Sequence, residues 1–135
     1  MKRFSLFPIL VLSLSFLLLS CIGNNGEIKK IRVIYLPEYT TVMVPVTCES
    51  IDFMLTFRET KVISDKAFLD SLNKELQGLK TNDSLRSIDV RIKVLIEYSN
   101  QTDTLCLGEF FDTILNGNLM EDNPKLLDLI KSKIY

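Results

Sequence analysis

The longest regular pattern in the chain spans residues 88–98, where apolar and polar side chains alternate. Ile88, Val90, Ile92, Val94, Ile96 and Tyr98 make one face; Asp89, Arg91, Lys93 and Glu97 make the other, with Leu95 the exception. Side chains on a strand point alternately to the two faces of its sheet, so a period of two predicts a strand with one buried and one wet face. Antiparallel sheets backed by helices are built this way. Residues 28–36 repeat the pattern, with Ile31, Val33 and Tyr35 set against Lys30, Arg32 and Ile34, and Pro37 ends the run. Val42, Val44, Val46 and Cys48 share one face of a second predicted strand, in which Pro45 marks an edge or an irregular start. Ile51, Phe53, Leu55 and Phe57 share one face of a third. Lys61-Val62-Ile63 either continues it briefly or leads into the next element.

From Ser64 the period lengthens. Phe68, Leu69, Leu72, Leu76 and Leu79 recur at helical spacing and predict a helix over residues 65–77. Ser64 is placed as its N-cap, Asp65 at the positive end of the helix dipole, and Gly78 in the left-handed position after it. Residues 80–87 read as a polar loop. Beyond the long strand, a loop at Ser99-Asn100-Gln101 leads to a return strand at 102–107, and residues 110–115 predict another. Asn116-Gly117 is a hairpin signal across which residues 118–120 pair back. Asn123 caps a last helix, with Pro124 at its first position and Leu126, Leu127, Ile130 and Ile134 on its core face. Lys131 and Lys133 suit its C-terminal end. The predicted order is β-β-β-α-β-β-β-α: an α+β domain, a mostly antiparallel sheet with two helices on one face, preceded by a signal-peptide helix.

The first twenty residues are of a different kind. Lys2 and Arg3 precede an apolar stretch, residues 4–19, broken only by Pro8 and a few serines. The stretch ends in Leu18-Leu19-Ser20-Cys21, and a polar run, Gly23-Asn24-Asn25-Gly26, follows. A positive end, an apolar centre and a small residue before the cleavage point are the parts of a secretory signal. Residues 18–21 resemble the lipobox of bacterial lipoproteins, with Leu19 larger than the usual residue at its position. The resemblance implies diacylglyceryl on the Cys21 thiol, cleavage just before it, and acylation of the new amino group. A transmembrane helix would need about 20 apolar residues, and ordinary secretory cleavage would want a small residue in place of Leu18. Each buried CH₂ contributes about 0.8 kcal/mol, so two or more chains hold a protein durably on a bilayer. The organisation read from this is a lipoprotein signal peptide at 1–20, the lipidated cysteine and a flexible tether at 21–27, and one domain at 28–135. Ile22, where the enteric sorting rule would want aspartate for inner-membrane retention, points to the outer membrane. Glu27 is the one acid close to Cys21, short of the acidic run that sends lipoproteins to the cell surface in some lineages, so the periplasmic face is expected.

Composition narrows the chemistry. Cleavage before Cys21 leaves 115 of the 135 residues, enough for a single core. Removing Lys2 and Arg3 leaves 14 basic against 17 acidic residues, with no basic stripe, so nucleic acid is not the expected partner. The chain has no histidine. That excludes Ser-His-Asp and Cys-His nucleophile systems and most zinc or transition-metal sites, and no cofactor is expected. Cys48 and Cys106 remain once Cys21 carries lipid. In an oxidising compartment they could pair, closing a loop worth about 4 kcal/mol; the other reading is two small buried hydrophobes on strands.

The candidate functional groups are few. Glu97, Asp103, Glu109, Asp112, Glu121 and Asp122 crowd the second half and offer either a calcium or carboxylate-pair site or a solvated rim of loops; no calcium-binding loop motif is present, which favours the rim. Asp83-Ser84-Leu85, Asp103-Thr104-Leu105 and Asp112-Thr113-Ile114 resemble the signal for general protein O-glycosylation in some Gram-negative lineages, and of these Ser84 sits in a loop that an enzyme could reach. Tyr35, Tyr39, Phe110 and Phe111 could line a binding face or the core; Phe110 and Phe111, adjacent on a strand, would point to opposite sides. The β-rich half that ends in the Asn116-Gly117 turn and a short helix resembles the small envelope lipoproteins of Gram-negative bacteria, a likeness of pattern that implies no activity. The expected role is a non-enzymatic, membrane-anchored protein that binds another envelope protein or joins an assembly. The alternatives are a periplasmic immunity or inhibitor protein, a carboxylate-dependent hydrolase, and a structural spacer.

Overall fold

The computed structural model describes residues 26–54, 56–84 and 87–135. Six strands form one sheet in the order β2-β1-β3-β4-β5-β6, and every neighbouring pair is antiparallel. They are β1 (Lys30–Tyr35), β2 (Glu59–Ile63), β3 (Val90–Glu97), β4 (Thr102–Gly108), β5 (Thr113–Leu115) and β6 (Asn118–Met120), with helices α1 (Lys66–Gln77) and α2 (Pro124–Ile134). The α+β class, the antiparallel sheet and the placement of both helices on one face agree with the hydrophobic pattern. The expected signal-peptide helix and Cys21 lie outside the described residues. Because β1 is antiparallel to both of its neighbours, β2 and β3 run parallel with β1 between them. The connection through α1 therefore steps over β1 and lays the helix on the sheet.

The helix-side core takes alternate residues from each strand: Ile31 and Val33 from β1, Ile92, Val94 and Ile96 from β3, Leu105 and Leu107 from β4. Phe68, Leu69 and Leu72 of α1 and Leu126, Leu127, Ile130 and Ile134 of α2 close over them. Burying an aliphatic or aromatic side chain of this size stabilises the fold by about 1.5–3 kcal/mol. Asp65, not Ser64, caps α1, its carboxylate accepting the Phe68 N–H at 2.7 Å. Gly78 is right-handed (φ −84°), so α1 ends on tight i→i+3 bonds rather than the expected left-handed turn. Asn123 caps α2 by accepting the Leu126 N–H at 3.0 Å, with Pro124 in the first turn.

The region between β1 and β2 departs from the sequence reading. Neither of the strands expected at 42–48 and 51–57 forms, and the order is β-β-α-β-β-β-β-α. Residues 37–58 instead make a strap with one short 3₁₀ turn, Ser50–Phe53. Its alternating pattern does not track burial: Val46 and Ile51 are buried, whereas Val44 and Phe53 are exposed. Local bonds supply the reason. Thr47 and Ser50 exchange side-chain and backbone hydrogen bonds, Pro45 has no N–H for a ladder, and such short-range bonds compete with sheet pairing.

The strap lies on the second face of the sheet and builds a second core there from Ile34, Leu36, Val46, Ile51, Val90 and Cys106. Three ties hold it. Cys48 and Cys106 form a disulfide, Cα atoms 5.9 Å apart. Asp52 receives Lys93 Nζ at 2.6 Å, and the Val90 N–H donates to the Val46 carbonyl at 2.8 Å. The second face is therefore half covered rather than wet throughout. One sheet edge is sealed as well: Thr81 bridges Met120, and the Asn82 N–H donates to the Leu119 carbonyl at 2.9 Å.

Two turns set the β4–β6 region. Asn116 and Gly117 both have positive φ (50° and 81°), as a two-residue hairpin of that kind demands. Residues 109–112 are a loop, not the start of the expected strand at 110–115. The Gly108 N–H donates to the Asp112 carbonyl at 3.1 Å, and any Cβ at Gly108 would collide with the Phe111 carbonyl oxygen.

Replacing Cys48 and Cys106 together by alanine removes the constraint on a loop with 58 residues of sequence separation. We expect a loss of about 4 kcal/mol in chemical denaturation. Limited proteolysis of the oxidised protein beside the double variant should show new cleavage within residues 37–58, ahead of any cut in β3 or β4.

Candidate functional site

Antiparallel pairing sorts the loops to two ends of the sheet. At one end the chain enters β1 through Glu27-Ile28-Lys29, beside the β3–β4 connection and the Asn116-Gly117 turn. At the other end lie the strap's start after Leu36, the approach to β3, the 109–112 loop and the C-terminus of α2. Direct contacts hold this second end together. The Tyr135 hydroxyl donates to the Leu36 carbonyl, and the Tyr135 ring meets Tyr35 edge-on at 5.5 Å between centroids. Six strand residues separate the two ends by about 20 Å.

The far end carries most of the exposed large apolar side chains. Tyr39 is 84% exposed, Met43 102%, Val44 70%, Phe110 70% and Phe111 59%. Isolated exposed apolar residues are ordinary, but a gathered set marks an interaction surface. Here the gathering is enforced by bonds. Arg91 donates to the Thr40 carbonyl at 2.7 Å, and Asp89 accepts the Val46 N–H at 2.9 Å, which fixes both ends of the segment bearing Met43 and Val44. Asp89 also borders the cleft walled by Phe110 and Phe111. Lys131 sits 5.5 Å from the Phe110 ring centroid and 3.5 Å from the Glu38 carboxylate, joining the 109–112 loop to the strap. Of the aromatic candidates read from the sequence, Tyr35 belongs to the helix-side core, while Tyr39, Phe110 and Phe111 meet at this rim. Both phenylalanines are exposed because they lie in a loop, where the opposite-face rule for strands does not operate. Met43 and Val44 were not anticipated, since a period of two made them strand residues. The bracketing Pro37 and Pro45 argue against a strand there.

The ion pairs differ between the two ends. Around the rim and strap the cation is the recessed partner: side-chain exposures are 13% for Arg91 against 42% for Asp89, 12% for Lys93 against 38% for Asp52, and 20% for Lys131 against 37% for Glu38. Near the entering chain the order reverses, with Lys30 at 45% and Arg32 at 49% against Glu97 at 29%. At the rim the carboxylate of each pair is thus the more exposed partner, while at the entering chain Lys30 and Arg32 stand further out than Glu97, and Lys66 and Glu27 are equally exposed at 72% and 74%. Lys66 pairs with Glu27 at the tether end as well, each shifting the other toward its charged form.

Two hollows remain. An open groove of about 570 Å³ runs beside the disulfide over β4 and β5, lined by Thr47, Cys48, Ile88, Thr104, Ile114 and Asn116 among others. A cleft of about 170 Å³ lies against Phe110 and Phe111 and includes Asp112 and Asp122. This is where two of the acids singled out in the sequence converge. Asp122 accepts the backbone N–H of Asp112 at 2.9 Å, and Asp112 is left-handed (φ 74°), so the pair shapes the loop. The cleft is well below the roughly 300–1,000 Å³ of small-molecule sites. Among the described residues no group of three or more metal-ligating side chains comes together, and no helix is long and apolar enough to cross a membrane. Ser84 is exposed, its N–H donating to Asn82 Oδ1 at 3.0 Å. Thr113 is buried, and Thr104 is half-buried in β4.

Asp103 is placed apart from the other acids. It is buried on the helix side of β4 and accepts from Asn116 Nδ2 at 3.0 Å, while Asn116 Oδ1 accepts the Thr104 N–H at 2.8 Å. Burial, and then the charge and hydrogen bond of Asp103, push the Tyr98 phenol up to about 12. The folded protein thus holds this proton more tightly than an unfolded chain, whose tyrosines ionise near 10. The stability it contributes is complete below about pH 10 and is lost as the pH rises through about 12. In an NMR titration of tyrosine rings, Asp103→Asn should lower the Tyr98 value yet leave it above that of an unfolded chain, because burial persists.

No protein-family model, no curated protein and no solved structure matches this chain.

Proposed function

We propose that this protein is a lipid-anchored component of a bacterial cell envelope, held by acyl chains on Cys21, and that its domain is a non-enzymatic module that binds another envelope protein. The observation that carries the reading is the opposition of the two ends: the chain leading from Cys21 enters at one, and the exposed apolar side chains stand at the other. A module tethered through residues 21–27 would present Tyr39, Met43, Val44, Phe110 and Phe111 away from its bilayer. Exposed cations beside the tether suit anionic head groups, which attract Lys and Arg by about 1 kcal/mol each near the surface. The outer membrane and its periplasmic side are the favoured address, on the strength of Ile22 and the lack of an acidic run after Cys21. The absence of histidine and the small acid-lined cleft favour binding over catalysis.

A second reading has an observation of its own. Carboxylates displayed around an apolar rim suit an immunity or inhibitor protein that covers a basic surface on a toxin. It shares the rim and differs in the partner.

Palmitate labelling and membrane fractionation of the wild type beside Cys21→Ala test the anchor. The wild type should incorporate label and sediment with outer membranes, and Cys21→Ala should lose the label and leave the membrane fraction. Equal partitioning of the two proteins would overturn it.

A further inference from the structure

The chemistry of the rim narrows the kind of partner, an inference that rests on the protein-binding reading above. We propose that the rim docks on a protein surface that is apolar at its centre and fringed by lysine and arginine. Three features carry this. The first is size and kind. Buried aromatic side chains cover about 150–250 Å² each, so Tyr39, Phe110 and Phe111 with Met43 and Val44 can cover most of the roughly 800 Å² that each side of a standard interface buries.

The second feature is charge. Among the described residues, the paired cations of the rim, Arg91 and Lys131, are recessed and matched to Asp89 and Glu38, which stand further out. Glu109, between Gly108 and Phe110, has no cation paired with it among the described residues. A basic partner would gain from these carboxylates; an acidic one, or an anionic bilayer, would be repelled at the contact. Lipid is the occupant this argument disfavours, because the cations that would welcome it face out at the opposite end.

The third feature is preorganisation. The Gly108–Asp112 hydrogen bond, the Arg91–Thr40 and Asp89–Val46 bonds and the Lys131 contacts hold the apolar groups where they are before any partner arrives. Less conformational freedom is then lost on docking.

The test uses the full-length lipidated protein in uncharged detergent micelles. The probes are two amphipathic peptides of equal apolar content, one lysine-rich and one glutamate-rich. The lysine peptide should bind roughly tenfold more tightly, with the preference shrinking as salt is raised. Phe110→Ser with Phe111→Ser should weaken the lysine peptide severalfold. Glu109→Lys should reduce the preference, whereas Glu97→Lys at the tether end should leave it. Thermal melting of each variant checks that the fold persists. Equal binding of the two peptides, or insensitivity to the phenylalanine pair, overturns the proposal. So does recruitment of Cys21→Ala protein to phosphatidylglycerol vesicles that is lost in the phenylalanine variant, which assigns the rim to lipid.

A photo-reactive residue in place of Met43, used in cells, separates this failure from that of the broader reading. A protein crosslink unaffected by Glu109→Lys removes the basic partner and keeps the binding module. No protein crosslink at all removes the module itself.

Discussion

The attachment of one irregular strap to the second face of the sheet governs the rest of this structure. Two helices can cover only one side of β1, β3 and β4. Without residues 37–58, Ile34, Val90 and Cys106 would meet water on the other. The strap resolves this with few apolar side chains, chiefly Val46 and Ile51, and its hold depends on cross-links: the Cys48–Cys106 disulfide, the Asp52–Lys93 pair and the Val90–Val46 hydrogen bond. In a domain this small, covalent and charged ties supply what a modest core cannot.

The same strap creates the surface to which we assign binding. Its inward side chains are spent on the second core, and those between the ties, Met43 and Val44, are turned out. Because the strap starts where β1 ends, it meets the 109–112 loop and the α2 terminus at the end of the sheet remote from the entering chain. Core building and surface display thus follow from one geometric fact, the direction in which β1 runs.

Electrostatics repeat the polarity. Which partner of an ion pair is recessed has little effect on the stability of exposed pairs, which contribute about 0–1 kcal/mol. It does decide what an approaching molecule meets. Arg91, Lys93 and Lys131 have long apolar stems that pack inward and leave the carboxylates of Asp89, Asp52 and Glu38 outermost. Near the tether the strand residues Lys30 and Arg32 reach past Glu97 instead. The net charge of the chain, −1, contains none of this.

Periodicity predicted the long β3 strand and the faces of both helices, and the Asn-Gly pair predicted the turn at 116–117, because each rests on residues close in sequence; Val90, expected on the face of Ile92, instead joins the second core, where the β3–β4 register shifts. Residues 1–21 lie outside the described structure, and the lipoprotein reading given to them rests on a resemblance in sequence. What the tertiary structure decided is everything that needs distant residues to meet. Residues 42–57 alternate well enough to predict strands, yet they became a strap, since Thr47 and Ser50 make local bonds and Pro45 has no N–H for a ladder. Phe110 and Phe111 left the sheet because Gly108 lets the backbone turn back on itself, a close approach that no pattern of apolar residues encodes. The rim, its outward carboxylates and its distance from the entering chain arise only when four separated stretches are brought to one end of a sheet. Sequence order carries the period of a strand, but which strands lie side by side is settled by packing.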